Sequence, residues 1–306
     1  MFQKEYPFFT IIVPTFNRYQ LLRQCAASLA HLEYPEDRHK IIIVDDGSDD
    51  ETRSWALQGG LSGLRCQYVR LEENQGVAAA RNRGLNLAEG DFVAFLDDDC
   101  TVEGGWLKLV VKTFQSFPGA GAVGGSILNP QDDPVAWASY ILEFSMWFPG
   151  GAARPMRDMP GCNIVYCRSA IAGMSFQDIG KDTVYEDSLF NHQLRMRGRE
   201  IIFAPRIQVR HYRVKDRCGK EGFLKSQQRY GLGFIRGGYR VHGVWGRLLL
   251  RLSFFNLVCP RLFLVWGRCC RSWTLFTKFF SCFRLIVAGE WERNKVIYLK
   301  GKYPRP

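Results

Sequence analysis

Short apolar runs alternate with segments of helical period through the first two hundred residues, and that alternation predicts the architecture. Phe9–Val13 (FTIIV), Ile41–Val44 and Phe92–Leu96 (FVAFL) are continuous apolar runs, the pattern of strands covered on both faces. Between the first two, Leu21, Leu22, Cys25, Leu29 and Leu32 recur at helical spacing until Tyr34-Pro35 ends the helix. A weaker strand is expected over Cys66–Leu71, and Val77–Ala88 carries the small and apolar residues of a closely packed helix. A further helix sets Trp106, Leu109, Val110, Thr113, Phe114 and Phe117 on one face and stops at Pro118-Gly119. Ala120–Leu128 reads as a strand and 129–160 as a loop region rich in Pro, Gly and aromatics. Gly161-Cys162-Asn163 opens a strand-like stretch, Tyr185-Glu186-Asp187-Ser188 precedes a helix, and Arg199–Val209 reads as a return strand ending near His211.

Strand and helix in alternation imply an α/β fold, a mostly parallel sheet with helices on both faces, whose ligands gather beyond the carboxyl ends of the strands. Pro14, Asp46 and the run Asp97-Asp98-Asp99 all stand at such ends. Three adjacent carboxylates at the mouth of a buried strand repel one another and lose hydration, so a positive partner is expected. A divalent cation holding a phosphate is one such partner; an acidic turn that caps the next helix is the alternative.

Composition adds the surroundings. With 306 residues, 46% of them apolar, the chain can bury a substantial core. The ten cysteines show no zinc spacing, so they read as reduced thiols. The opening MFQKEYPFFTIIVP runs into a strand without a small-residue cleavage site, so no signal peptide is expected and the catalytic part is expected at the cytoplasmic face of the cell membrane. Charge is divided unevenly: residues 1–203 hold 19 Lys+Arg against 26 Asp+Glu (net −7), and residues 204–306 hold 22 against 4 (net +18). Such a tail suits an anionic partner. In RLLLRLSFFNLVCPRLFLVWGR, Arg247, Arg251, Arg261 and Arg268 fall within about 100° on an ideal helix, opposite a Leu/Phe/Trp face, with Pro260 a kink. That pattern fits an amphipathic helix in an anionic membrane surface, or a lid packed on the catalytic part. No run reaches the ~18 uncharged apolar residues of a simple span. An open groove for nucleic acid would interleave aromatic and basic residues, so nucleic acid is not an expected partner.

The ordered motifs VPTFNR at 13–18, VDDGSDD at 44–50, NQGVAAARNRGL at 74–85, FLDDD at 95–99 and YEDSLF at 185–190 resemble the family 2 glycosyltransferases with the GT-A fold. The resemblance spans roughly residues 8–230. It implies a Rossmann-like GT-A domain over 1–235, with a nucleotide-sugar half over about 1–128 and an acceptor half over about 129–235. A helical, basic, membrane-associating region over 236–306 follows. It also implies transfer of one sugar from a nucleotide-sugar donor, a UDP-sugar by expectation, to a hydroxyl of a lipid-linked or cell-surface glycan acceptor, with inversion and dependence on Mg²⁺ or Mn²⁺.

By the same resemblance, Pro14, Thr15, Asn17, Asp46, Asn74, Gly76, Arg81, Asp97 and Asp98 bind the nucleotide sugar. The metal falls to Asp99, with Asp97 and His211, and Asp187 is the general base with Glu186 beside it. Other readings stay open for single residues: an Asx turn at Asp45-Asp46-Gly47-Ser48, a solvated helix face at Arg81 and Arg83, helix N-terminal acids at Glu186-Asp187, and a packed imidazole at His211. Processive relatives carry Q-x-x-R-W; Ser226 and Tyr230 stand here at its glutamine and tryptophan positions, which argues for transfer of single sugars. A catalytically silent nucleotide-sugar or polyanion-binding protein is the alternative function. A nucleotidyltransferase would show a glycine-rich phosphate loop after the first strand, which VPTFNRYQ lacks.

Overall fold

Strand β1 (Phe9–Thr15) is buried at every residue, and a sheet extends from it to both sides. In the computed structural model, which describes residues 5–181, 184–212, 219–238 and 264–301, the chain divides into two units. The first comprises Met1–Leu128, Pro149–Lys181 and Phe190–Tyr212; the second comprises Asn129–Phe148, Asp182–Leu189 and Arg213–Pro306.

In the first unit β1 pairs in parallel with β2 (His39–Asp45) on one side and β4 (Phe92–Phe95) on the other, and β2 with β3 (Cys66–Arg70). The connections carry α1 (Tyr19–Leu29), the short α2 (Thr52–Trp55) and α3 (Val77–Asn86). Helix α1 buries Leu22, Cys25, Ala26 and Leu29, the face its period predicts. Helix α3 comes so near the sheet that a Cβ on Gly84 would lie 2.4 Å from Ile12 Cγ2. Past β4 follow β5 (Cys100–Val102), α4 (Trp106–Ser116), β6 (Ala120–Leu128), β7 (Arg154–Met156), β8 (Ile164–Cys167) and β9 (Glu200–His211). Phe114 of α4 stacks on Phe92, and Phe92 on Phe9, at 4.4 and 5.0 Å between ring centres.

The strand order is β3-β2-β1-β4-β8-β6-β9-β5, with β7 against β9. Strand β8 runs antiparallel to β4 and β6, and β5 and β7 run antiparallel to β9, while β6 and β9 are parallel. The sheet is therefore mixed, not mostly parallel: the expectation holds for β1 to β4 and fails beyond them. Continuous apolar runs report burial, which a strand has in either direction, so the reversal left no mark in them.

The β6–β9 pair shifts register between Gly125 and Ser126. At the shift the backbones nearly touch, since a Cβ on Gly125 would lie 1.7 Å from the Ile207 carbonyl oxygen. Fully buried Asn163 closes the irregularity: its Nδ2 donates to the carbonyls of Ser126 and Ile207, each at 3.1 Å, and its Oδ1 accepts from Trp106 Nε1 at 3.2 Å. Carbonyls displaced from a ladder at a bulge need such a partner.

The second unit is helical. It holds α5 (Pro134–Glu143), the first residues of α6 (Glu186–Met196), α7 (Lys220–Gly233), α8 (Trp273–Ser281) and α9 (Phe283–Gly301). The expected loop region 129–160 thus contains α5, a 3₁₀ turn at Ser145–Trp147 and strand β7. The Asp133 carboxylate accepts from Ala136 N at 2.8 Å and Pro134 occupies the first turn, a helix start that the Pro, Gly and aromatic content of the stretch obscured. Helix α9 packs on α7 and α5 at close range, since a Cβ on Gly289 would meet Phe223 at 2.5 Å and Leu142 at 2.9 Å. Of the basic stripe, Arg247, Arg251 and Arg261, with Pro260, lie outside the described residues. No helix among the described residues is long and apolar enough to cross a membrane.

Asn163→Ala leaves two carbonyls and an indole N–H without their partner. The expected cost is about 2–4 kcal/mol, read as a lower urea midpoint; an unchanged midpoint refutes the clamp.

Candidate active site

The carboxyl ends of β1 and β2 lie level, since Thr15 pairs with Asp45, and β4 ends beside them at Phe95, opposite Ile12. Pro14 sits past the last rung shared with β4, where the ladder on that side has ended and a missing N–H costs nothing. Directly after β4 come Asp97, Asp98 and Asp99. Each has a cation beside it, one of them shared. Arg81, on α3, lies 3.0 Å from Asp97 Oδ1. Arg18 Nη1 donates to Asp98 Oδ1 at 2.8 Å and to Asp99 Oδ2 at 3.1 Å, and Thr15 Oγ1 donates to Asp98 Oδ2 at 2.7 Å. The Asp97 side chain is 27% exposed, against 2% and 5% for Asp98 and Asp99, so Asp97 is the most open of the three. Burial, against the pull of Arg18, pushes the Asp98 carboxyl up to about 6. The Arg18 guanidinium is held protonated, chiefly by Asp98.

Arg81 is itself buried, which explains the glycine at 161: a Cβ there would lie 2.5 Å from Arg81 Nη2. Its guanidinium also stands 5.6 Å from the centre of the Phe176 ring, a favourable cation–π distance.

At the end of β2, Asp45 accepts from Ser48 N at 2.8 Å and from the Tyr68 hydroxyl. Asp46 accepts from the backbone N–H groups of Gln75 and Gly76, each at 2.8 Å. Burial raises the Asp46 carboxyl, and these two N–H groups and Lys181 oppose the rise. The Asp46 carboxylate thus fastens the Asn74–Gly76 turn to β2, and Lys181 Nζ reaches the Asn74 carbonyl. Gly47 has φ +79°, and a Cβ there would meet the Glu73 backbone at 2.7 Å, so the approach of the two loops requires glycine. Asn17, at φ 52°, accepts from Asp49 N through Oδ1 at 2.9 Å and donates its N–H to Ser48 Oγ at 2.9 Å. Pro14, Thr15, Asn17, Asp46, Asn74, Gly76, Arg81 and the three aspartates all belong to the first unit.

So does His211. Strand β9 brings its Nε2 to 3.4 Å from Asp99 Oδ1. Among the described residues, Asp99, Cys100 and His211 form a group whose donor atoms lie within 4.8 Å of one another. A carboxylate oxygen beside an imidazole nitrogen fits a divalent cation, whereas Asp97, turned to Arg81, lies outside that group.

Glu186 and Asp187 belong to the second unit, in the first turn of α6. Tyr185, just before them, has φ 105°, a strained backbone for a bulky residue. Arg293 of α9 donates to the Tyr185 hydroxyl and stacks 5.2 Å from the centre of the Tyr230 ring. Ser226 Oγ and Gln227 Nε2 donate to Glu143 Oε1 at 3.1 and 2.8 Å, so these polar residues of α7 serve the helix packing.

A family model for glycosyl transferase family 2 matches residues 10–181. The chain belongs to that family. Two proteins of Haloferax volcanii are similar to this chain. Glycosyltransferase AglE is 33% identical over 121 residues, 40% of each chain; the chain thus spans about two fifths of that relative's length. Glucosyl-dolichyl phosphate glucuronosyltransferase is 31% identical over 220 residues, 66% of this chain and 68% of that one. Among solved structures, the mannosyltransferase PcManGT of Pyrobaculum calidifontis, in complex with GDP-Man and Mn²⁺, superposes with a TM-score of 0.61 at 20% identity, covering 98% of this chain and 89% of that chain. S. aureus TarS 1–349 in complex with UDP-GlcNAc gives 0.56 at 16% identity, covering 97% and 93%. These two likenesses show the fold.

Two site residues escaped the sequence reading. Arg18 was visible as the last residue of VPTFNR, and Cys100 as the last of GDFVAFLDDDC, but nothing in the order of residues said that either faces Asp99. Removing Arg18 strands two buried carboxylates. Arg18→Ala is expected to cost about 3 kcal/mol in chemical unfolding, and an unchanged stability refutes the role. The raised Asp98 carboxyl means that the folded state holds its proton more tightly than the unfolded chain. Its contribution to stability is therefore full below the ordinary carboxylate range near 4 and is lost as pH rises toward 6. Asp98→Asn is expected to flatten that decline between pH 4 and 6, measured as the difference in unfolding free energy from wild type.

Proposed function

We propose that this transferase moves a single sugar from a nucleotide-sugar donor, a UDP-sugar, to a hydroxyl of a lipid-linked or cell-surface glycan acceptor. The transfer inverts the anomeric carbon and depends on Mg²⁺ or Mn²⁺. The observation that carries the reading is the acidic end of β4, held between Arg18, Arg81 and His211. Departure of a nucleoside diphosphate builds negative charge on the leaving oxygens. A divalent cation on Asp99 and His211 would stabilise that charge.

The remaining roles fall to side chains. Asp97, the most open of the triad, accepts from the donor's ribose. Arg81 offers a planar fork to phosphate or base, and the Asn74–Gly76 turn, anchored by Asp46, lines the nucleotide. A single inverting displacement needs a base on the acceptor hydroxyl, and a carboxylate within hydrogen-bond reach takes that proton as the new bond forms. Asp187 takes this part, with Glu186 beside it. The neighbours solved with GDP-Man and UDP-GlcNAc, and the relative named for glucosyl-dolichyl phosphate, support the donor class and a lipid-linked acceptor.

We place the enzyme at the cytoplasmic face of the membrane. Support comes from the net +18 of residues 204–306 and from α8, where Trp273 and Phe280 are exposed, followed by exposed Phe283. Aromatic residues among arginines and lysines suit an anionic headgroup layer.

Release of nucleoside diphosphate from a panel of UDP- and GDP-sugars with Mn²⁺ and lipid acceptors tests the chemistry. Asp99→Ala and Asp187→Asn are each expected to lose about 100-fold or more in kcat; turnover equal to wild type in both overturns the assignment. Flotation of the full chain with phosphatidylglycerol vesicles tests the location. Wild type is expected to float and Trp273→Ser/Phe280→Ser to float less, and a wild-type chain that stays at the bottom refutes membrane attachment.

A further inference from the structure

Asp99 divides its carboxylate between two sets of partners. Oδ2 faces Arg18 Nη1 at 3.1 Å, while Oδ1 lies 3.4 Å from His211 Nε2 and 3.8 Å from Cys100 Sγ. Cys100 stands directly opposite His211 in the antiparallel β5–β9 ladder, so the two side chains leave the sheet on the same face. The thiol is fully buried, and one donor atom from each of the three residues lies within 4.8 Å of the other two.

A tetrahedral ion with bonds of about 2.0–2.1 Å to oxygen and nitrogen and about 2.3 Å to sulfur sets its donors about 3.3–3.6 Å apart. The two separations from Asp99 Oδ1, 3.4 and 3.8 Å, are close to those edges. Arg18 meanwhile fixes the carboxylate from its other oxygen, as partners outside a metal's own ligands commonly do.

The geometry points to Cys100 as a third ligand, with Asp99 and His211, of the divalent cation. The inference rests on the proposed reading that this strand end holds such an ion. Coordination converts the thiol to a thiolate, its proton passing to solvent. A sulfur donor then disfavours Mg²⁺, so that of the two proposed ions it selects Mn²⁺, with Co²⁺ held more tightly still.

Cobalt reports the sulfur directly. The full chain, stripped with a chelator and carrying Cys270→Ser to remove an exposed thiol, is titrated with Co²⁺ alone and followed by absorption. Visible bands of bound cobalt together with a near-ultraviolet sulfur-to-cobalt charge-transfer band are expected. Cys100→Ser is expected to keep the visible bands, lose the charge-transfer band and weaken cobalt binding by about 10-fold or more; Cys269→Ser, a buried thiol of the second unit, is expected to retain the band. Visible bands without charge transfer overturn the inference and leave the cation reading standing. A charge-transfer band that survives Cys100→Ser also overturns it. No cobalt bound at all overturns both. The parent spectrum decides the matter even where the Ser variant does not fold.

Discussion

Three aspartates follow one another at the end of β4, and two of them have almost no access to water. Like charges about 4 Å apart repel by about 4 kcal/mol at the effective dielectric of a protein surface, so the triad stands only if cations from elsewhere in the chain are brought to it. Arg18 comes from the turn after β1 and Arg81 from α3, and the His211 imidazole stands beside Asp99 from the far end of β9. Each is delivered by a different element, and this need ties the parallel strands β1 to β4 to the mixed remainder of the sheet. Asn163 and Gly125 matter for the same reason: they hold the β6–β9 irregularity in the strand pair that carries His211.

The cations also sort the three carboxylates into different tasks. Asp98 is spent on Thr15 and Arg18 and belongs to the scaffold. Asp97 keeps one buried arginine and an open side. Asp99 is gripped on one oxygen by Arg18 and turns the other to an imidazole and a thiol. A similar economy governs Asp46, whose carboxylate anchors the Asn74–Gly76 turn through two backbone N–H groups and still has lone pairs left for a ligand. The glycines at 47 and 161 follow from these contacts, since each stands where a backbone or a guanidinium approaches too closely for a Cβ.

The helical unit is organised around a different strain. Tyr185 holds a positive φ immediately before Glu186 and Asp187, and Arg293 secures its hydroxyl from α9. A backbone in that region persists where its surroundings over-determine it, so the start of α6 is fixed by a residue more than a hundred positions away.

Much of this was legible in the order of residues. Continuous apolar runs identified β1, β2 and β4, helical spacing identified α1 and α4, small and apolar residues identified α3, and five motifs in sequence pointed to the family. These signals are local: burial writes itself into hydrophobicity along a strand, and amphipathic period into a helix. Strand direction past β4 was not legible, because a strand buried both ways reads alike parallel or antiparallel. Helix α5 was obscured by the composition around it, although Asp133-Pro134 marked its start. The division of labour among Asp97, Asp98 and Asp99 came only from the resemblance, not from the residues themselves. Three identical side chains in a row carry no difference in sequence. The fold alone separates them, by the distances at which it sets Arg81, Arg18, Thr15, His211 and Cys100 against each carboxylate.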